Sequence, residues 1–189
     1  MDDHTTEVLF SSMNRNWGTP QYLFDWLNKV YNFDYDAAAN EDDTLCGDYL
    51  GSCLNIDWPK GIAYMNPPYG RSEQPCKPGC LKKKCVQRGY HITEYLPGTE
   101  DFVKKAYEQS LKGVIVVCLL PARTDTSWFH EYVSQAATII FLKGRIHFKD
   151  AENSAPFPSM IVEFNKNDHE QNGQIIKFLN VGDTIYETV

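Results

Sequence analysis

The stretch "YMNPPYG", residues 64–70, combines side chains whose types could act together on an amine. The Asn66 side-chain oxygen is a hydrogen-bond acceptor, and the rigid φ angles at Pro67 and Pro68 direct the Pro67 carbonyl outward as a second acceptor. Tyr69 adds a flat ring that can stack on a planar ligand. Two acceptors beside an aromatic ring predict a site for an exocyclic amino group on a planar ring.

An adenine amine is a poor nucleophile, because its lone pair is delocalised into the ring. Acceptors for both of its N–H bonds draw the nitrogen toward tetrahedral geometry and stabilise the positive charge that develops during attack. A turn of this composition therefore suits methyl transfer to such an amine without a strong base. The alternative interpretation of the four residues is a rigid loop after a strand.

A group of potential zinc ligands follows this turn, with the spacing C-x3-C-x4-C-x5-H: Cys76, Cys80, Cys85 and His91. Three thiolates and an imidazole can close a tetrahedral zinc site, which would order a loop too polar to form a core of its own. Cys46 or Cys53 is the alternative fourth ligand. The alternative to a metal site is a set of free cysteines in a mobile loop.

Positive charge is concentrated in the same region, although the net charge of the whole chain is −7. Residues 71–88 contain six basic side chains and one acidic side chain, which gives +5. Five of these cations are candidate phosphate contacts: Arg71, Lys82, Lys83, Lys84 and Arg88. Because this segment adjoins the Pro-Pro turn, we expect it to face a polyanion. A merely solvated surface is the alternative.

Six ordered motifs carry a family resemblance over roughly residues 16–164: "NWGTP", "FDYDAAAN", "YMNPPYG", "CLLPARTDTSWFH", "FLKGRIHF" and "PFPSMIVEF". Together they resemble the phage-type DNA N-6-adenine methyltransferases. The resemblance implies an S-adenosylmethionine-dependent enzyme whose substrate is adenine N6 in double-stranded DNA. Related turns also occur in protein-glutamine and cytosine-N4 methyltransferases, which remain alternatives. A zinc-stabilised DNA-binding protein without catalysis is the alternative from another class.

The resemblance also implies residue roles. The catalytic turn would be Asn66, Pro67, Pro68 and Tyr69, with Tyr69 stacking on a base flipped out of the duplex. The methyl donor would be bound by Thr19, Pro20, Asp36, Ala37 and Ala38. The glycine-rich loop usual in methyltransferases is absent, and "DAAAN" takes its place. An acidic residue within 41–43, or Asp48, is a candidate ribose ligand.

The elements that must position these residues alternate between strands and helices. Thr19 and Pro20 predict a helix start, with Thr19 as cap and Pro20 as first helical residue. "FDYDAAAN" and "GIAYMNPPY" predict strands that end at the candidate residues, and "VIVVCLL" predicts a strand buried on both faces. "TDTSWFHEYVSQAA" predicts a capped helix, and "TIIFL" another buried strand.

The carboxyl-terminal part changes character, because "RIHF", "SMIVEF", "IIKFL" and "TIYET" predict strands without intervening helices and therefore antiparallel pairing. The predicted fold is a Rossmann-like α/β methyltransferase sheet, mostly parallel with an antiparallel C-terminal end. Residues 1–189 would form a single domain, with residues 70–99 as a Cys/Lys-rich insertion within it.

The 189-residue chain has no apolar run near the roughly 20 residues that span a bilayer, and its first residues are acidic and polar. We therefore expect a cytoplasmic protein with DNA and a small-molecule methyl donor as partners and no membrane contact. The recognition sequence and the oligomeric state stay open.

Overall fold

The computed structural model describes residues 17–180, which form an α/β fold around one mixed sheet. The strand order is β1-β2-β3-β5-β4-β6. The strands are β1 (Tyr35–Asp36), β2 (Ile62–Met65), β3 (Ile115–Pro121), β4 (Thr138–Lys143), β5 (Ser159–Phe164) and β6 (Ile175–Asn180). The helices are α1 (Gln21–Tyr31), α2 (Lys83–Arg88), α3 (Thr99–Leu111), α4 (Ser127–Glu131) and α5 (Lys166–Asn172).

Strand direction agrees with the prediction for β5 but not for β6. β1, β2 and β3 pair in parallel, whereas β5 is antiparallel to both of its neighbours, β3 and β4. β6 pairs in parallel with β4, and α5 connects it to β5, so the predicted antiparallel arrangement of "IIKFL" is wrong. The connecting helix is polar and has no buried residue, which removes the usual apolar signal. "RIHF" forms no strand, and "TIYET" lies outside the described residues.

β3 is buried on both faces, as predicted, and divides the core in two. Val116, Cys118 and Leu120 pack on one side, where α3 contributes Phe102, Val103 and Ala106. On the other side Val117 and Leu119 pack beneath α1, together with the chain segment around Phe148. Alternate residues of one strand therefore anchor helices on both faces of the sheet.

The helix start near Thr19 differs from the prediction. Pro20 is the N-cap of α1, and its carbonyl accepts the N–H groups of Leu23 and Phe24 at 3.1 and 3.2 Å. Thr19 does not cap the helix, because its hydroxyl is buried and bonded elsewhere in the site. The predicted helix after Arg123 is also shorter than expected: α4 ends at Glu131, and a 3-10 turn follows.

The insertion, residues 70–99, contains one short helix and two arms that approach each other. Glu73 pairs with Leu96 in an antiparallel bridge, and the Cys76 N–H donates to the Ile92 carbonyl at 2.9 Å. α2 lies between the arms, and its C-cap is Gly89, whose φ of 78° suits glycine. Between residues 17 and 180, no helix has the length and apolar character needed to cross a membrane.

Candidate active site

The candidate catalytic turn, residues 66–69, begins where β2 ends. Strand pairing runs as far as Met65 opposite Cys118 and then stops, because Pro67 and Pro68 have no N–H to donate. β1 is parallel to β2 and ends beside it, with Asp36 opposite Tyr64. The turn therefore lies at the carboxyl edge of the parallel strands, where open α/β sheets bind their ligands.

The Asn66 amide is held in one orientation by its nitrogen. Nδ2 donates to the Trp17 carbonyl at 2.6 Å and to Thr19 Oγ1 at 2.9 Å. Oδ1 is buried and accepts no hydrogen bond from any residue that the structure describes. A buried acceptor without a partner costs about 1–3 kcal/mol. The site thus keeps open one acceptor that a ligand N–H could satisfy.

Two buried hydroxyl groups, connected by a hydrogen bond, hold this amide in place. Thr19 Oγ1 and the Tyr64 hydroxyl lie 2.6 Å apart. Burial raises the pKa of Tyr64 well above its usual value, so the phenol stays protonated. The chain Tyr64–Thr19–Asn66 fixes which side of the amide faces the ligand. Thr19, predicted to contact the methyl donor, therefore also positions Asn66.

The two prolines of the turn differ in how their carbonyl groups are used. The Pro68 carbonyl accepts the Thr99 hydroxyl at 3.1 Å. Within residues 17–180 no hydrogen bond ends on the Pro67 carbonyl. Pro67 and Asn66 therefore both offer an acceptor, as the sequence predicts, and Pro68 ties the turn to α3.

Tyr69 is packed into the core and is absent from the residues that line the cleft described next. Its hydroxyl donates to the Leu119 carbonyl at 3.1 Å, and its ring meets Phe148 and Phe157 edge-on. The ring is 7% exposed. Stacking on a target base stays a prediction, and it requires a conformation in which a face of this ring is uncovered.

A cleft of about 450 Å³ opens beside Asn66, within the range of small-molecule sites. It is lined by Trp17, Gly18, Thr19, Asp36, Ala38, Ala39, Asn40, Asp43, Leu45, Asn66, Pro67, Pro68, Lys149, Asp150 and Ala151. Thr19, Asp36 and Ala38, three of the five predicted donor-binding residues, are in this set. Pro20 and Ala37 are buried outside it.

Asp36 is the buried carboxyl group of the cleft, with 5% of the residue exposed. Burial, helped by the nearby negative charge of Asp43, raises its pKa to about 7, while the backbone N–H of Ala38 opposes the shift. The Ala38 N–H donates to Asp36 Oδ1 at 3.1 Å. A carboxyl group that titrates near neutral pH in a cleft can lose its proton and become negatively charged when a cationic ligand binds.

Sequence reasoning missed the segment that closes the opposite side of the cleft. Lys149, Asp150 and Ala151 line it, although they follow β4 by several residues. Gly18 and Lys149 form an isolated antiparallel bridge, in which the Lys149 N–H donates to the Gly18 carbonyl at 2.7 Å. Two motifs, "NWGTP" and "FLKGRIHF", adjoin this bridge, but no periodicity within either one indicates the pairing.

The four potential zinc ligands of the insertion come together, with their ligand atoms within 4.8 Å of one another. The Sγ atoms of Cys76 and Cys80 lie 3.5 and 3.8 Å from Cys85 Sγ. Thiolates on one tetrahedral zinc ion are about 3.8 Å apart, given Zn–S bonds of about 2.3 Å. Cys46 and Cys53 are not in the group, so His91 is the fourth member.

Four cations in and beside α2, at positions 82–84 and 88, fall into two sets. Lys84 Nζ lies 2.7 Å from Glu73, and the Arg88 guanidinium lies 3.3 Å from the same carboxylate. Arg88 also donates to Cys85 Sγ at 3.5 Å. Lys82 and Lys83 are exposed, and no acidic partner is found for them in the described part of the chain. Arg71 is exposed next to the catalytic turn.

Comparison with known proteins identifies the family. A family model described as DNA N-6-adenine-methyltransferase (Dam) matches residues 7–180. The chain belongs to this family. The resemblance inferred from the six motifs is therefore confirmed.

One curated relative is the DNA N-6-adenine-methyltransferase of Escherichia phage T1, which is 30% identical over 132 residues. That match covers 67% of this chain but only 44% of the phage protein. A solved structure with partial similarity is the methyltransferase subunit of a type I restriction-modification system from Streptococcus thermophilus, at 13% identity and a TM-score of 0.44. The similarity covers 85% of this chain and 48% of the chain in that structure.

Proposed function

We propose that this protein transfers a methyl group from S-adenosylmethionine to N6 of adenine in double-stranded DNA. The observation that carries the proposal is the buried Asn66 Oδ1, which has no partner, while Nδ2 of the same amide is fully bonded. A protein that only bound DNA would gain nothing from a costly open acceptor at a sheet edge. Membership of the DNA N-6-adenine-methyltransferase family supports the same activity.

The turn acts on the amine through two oxygens. Asn66 Oδ1 and the Pro67 carbonyl accept the two N–H groups of the adenine amine, which localises the nitrogen lone pair and stabilises the positive charge that develops on N6. No general base is required before attack, and the surplus proton leaves to solvent afterwards. Because Thr19 and Tyr64 hold the amide in place, this arrangement exists before the substrate arrives.

S-adenosylmethionine supplies a methyl group activated by its sulfonium centre, and the cleft beside Asn66 fits such a ligand. Ala38 and Ala39 are small enough for close approach to the backbone. Asp36 offers a buried negative charge to a cationic ligand once it is ionised. Lys149 is the single basic side chain among the lining residues and is suited to a carboxylate. Asp43, unlike Asp48, lines the cleft and is our candidate for the ribose hydroxyls.

The topology is consistent with a Rossmann-like methyltransferase sheet, in which ligands bind beyond the ends of parallel strands. Here β1 and β2 end at the cleft, and β5 is the antiparallel strand. Tyr69 would stack on the target base only after its ring is uncovered. Pro20 and Ala37 would shape the donor site from behind rather than touch the donor.

The test is to incubate the purified protein with labelled donor and either unmethylated duplex DNA or protein extract, and to separate the nucleosides of the digested DNA. We expect label in N6-methyldeoxyadenosine. Label in N4-methyldeoxycytidine, or in protein alone, would contradict the adenine assignment. Absence of label from both substrates would favour a binding protein without catalysis.

We also propose that the cysteine cluster holds a structural zinc ion. The donor set is three sulfurs and one imidazole, the sulfur spacings suit tetrahedral geometry, and a set of four leaves no open position for catalysis. The backbone N–H of Lys82 lowers the pKa of the Cys80 thiol, and a lower thiol pKa favours metal binding. Metal analysis of the purified protein should find one zinc per chain, and none would contradict the site.

A further inference from the structure

The insertion is fastened to the catalytic turn at its base. The Thr99 N–H donates to the Gly70 carbonyl at 2.9 Å, and the Gly70 N–H donates to Thr99 Oγ1 at 3.0 Å. Gly98 packs so closely that a Cβ atom there would lie 2.3 Å from the Ser72 nitrogen. These contacts leave no hinge between the turn and the insertion at this point.

The tip of the insertion, residues 81–83, exposes an apolar side chain between a potential zinc ligand and two lysines. Leu81 is 88% exposed, more than any other large apolar residue between 17 and 180. It follows Cys80 directly and precedes Lys82, which is the N-cap of α2.

A local structural role does not account for the exposure of Leu81. Its position before the N-cap would allow a hydrophobic staple with Val86, four residues into α2. A staple buries both partners, yet Val86 is 69% exposed. Leu81 therefore buries little apolar surface against Val86. Burial of its side chain by a partner would contribute free energy to binding.

The charges beside Leu81 indicate what that partner is. Lys82 and Lys83 have no acidic partner in the described chain, whereas Lys84 and Arg88 are already paired with Glu73. Lys82 and Lys83, two of the exposed lysines of the insertion, thus lie next to its most exposed apolar side chain. Apolar side chains flanked by cations are typical of proteins that insert a wedge between DNA bases while contacting the phosphates.

We propose that Leu81 enters the DNA duplex beside the target adenine, with Lys82 and Lys83 on the adjoining phosphates. This inference rests on the proposed function. An adenine must leave the helix before its amine can reach Asn66, and unstacking opposes that step. Leu81 occupies the disturbed base stack and keeps the target extrahelical. The cysteine cluster provides the rigidity that a wedge needs.

The test compares Leu81→Ala on two duplexes, after the target site has been mapped by sequencing DNA methylated by the unchanged protein. In one duplex the target adenine is paired with thymine, and in the other it lies opposite an abasic site, which makes flipping easier. We expect Leu81→Ala to slow methylation of the paired duplex by about 10- to 100-fold. On the abasic duplex it should act within about threefold of the unchanged protein.

Two control variants isolate the wedge. Leu81→Met keeps an apolar side chain and should retain activity on both duplexes, and Leu111→Ala, a 47% exposed leucine of α3, should have no effect. An unchanged rate for Leu81→Ala on paired DNA, or equal losses on both duplexes, would overturn the proposal. Absence of methylation by the unchanged protein would instead overturn the proposed function, and the wedge role with it.

The flanking lysines are tested by the salt dependence of DNA binding. Lys82→Ala combined with Lys83→Ala should flatten the slope of log affinity against log salt by about 1.8, because each phosphate contact contributes about 0.9. Lys104→Ala is the control, since this lysine lies on α3 outside the insertion and is paired with Glu108, and its slope should stay unchanged. Equal slopes for the double variant and the unchanged protein would remove the phosphate contacts from the proposal.

Discussion

The candidate catalytic turn and the insertion are adjacent in sequence but are ordered by different means. Tyr64 and Met65, which lead into the turn, are completely buried, and Asn66 is held by side-chain and backbone hydrogen bonds from a distant segment. The insertion buries little beyond Cys85 and the Gly98–Thr99 base. Its order comes from a sulfur cluster, an ion-pair group at Glu73 and a short backbone bridge.

This difference in ordering corresponds to a difference in what the two regions have to do. A site that must hold one amide to a fraction of an ångström is built on strands and buried hydroxyl groups, where packing leaves a single arrangement. A surface that is proposed to contact a polyanion has to stay polar, and it cannot form an apolar core. A metal ion can order such a segment without apolar burial. The two regions should therefore respond differently to the same disturbance.

The largest expected effect is on the insertion alone. Cys85→Ser removes the most buried member of the cluster, so the zinc content should fall from one ion per chain to none. Limited proteolysis should then cut within residues 70–99 while the rest of the chain stays resistant.

Cys46→Ser is the control for that loss, because Cys46 lies outside the cluster. It should keep the zinc ion and the resistance to protease. Retention of zinc by Cys85→Ser, or loss of the whole fold with the metal, would show that the two regions are not ordered independently.

A smaller effect is expected when the support of the turn is removed. Thr19→Val deletes the hydroxyl that accepts from Asn66 and bonds to Tyr64, so the amide can rotate and a buried phenol loses its partner. We expect the methylation rate to fall about 10- to 100-fold and the free energy of unfolding to fall by about 1–3 kcal/mol.

Thr19→Ser keeps the hydroxyl and should stay close to the unchanged protein in both measurements. The zinc content of Thr19→Val should be unaffected, since the insertion is ordered separately. Full activity of Thr19→Val would mean that the chain from Tyr64 to Asn66 does not position the amide.

The most gradual effect concerns pH. Burial raises the folded-state pKa of Asp36 to about 7, above its value near 3.8 in the unfolded chain. The folded protein therefore binds more protons between these values, and stability falls as pH rises through that window. The limiting loss is about 4 kcal/mol by pH 8. Thermal unfolding between pH 5 and 8 should show this decline, and Asp36→Asn should flatten it.

Binding of the cationic donor should show the opposite trend. Ionised Asp36 favours a positive ligand, so donor affinity measured by calorimetry should increase as pH rises through 7. Asp36→Asn should remove that increase. A pH-independent affinity in the unchanged protein would mean that Asp36 does not face the bound donor.

Much of the site is predictable from the sequence, because its residues follow strands directly. The prolines after β2 and the small residues after β1 mark the sheet edge, and the Cys/His spacing predicts the cluster found in the structure. Lys149 could not be predicted, because it reaches the cleft through a single bridge to Gly18. The structural role of Thr19 was missed for a related reason: threonine before proline is typical of a helix cap, and its partners lie 45 and 47 residues away.

The charged residues of the insertion show that composition does not predict which cations are paired. Five cations appear equivalent in sequence, but Glu73 pairs with Lys84 and Arg88 and leaves Lys82 and Lys83 uncompensated. Similarly, Tyr69 has the residue type for base stacking, whereas packing against Phe148 and Phe157 places it in the core. Pairing and burial depend on tertiary contacts, which local patterns do not contain.

The central claim is that Asn66 Oδ1 accepts a hydrogen bond from the amine of the target adenine. The most direct measurement is the single-turnover methylation rate of Asn66→Ala at saturating donor and DNA, with donor affinity measured separately. The account predicts a rate about 10²- to 10³-fold below that of the unchanged protein, with donor affinity within a few-fold, because a preorganised partner of the developing charge is lost. A rate equal to that of the unchanged protein would contradict it.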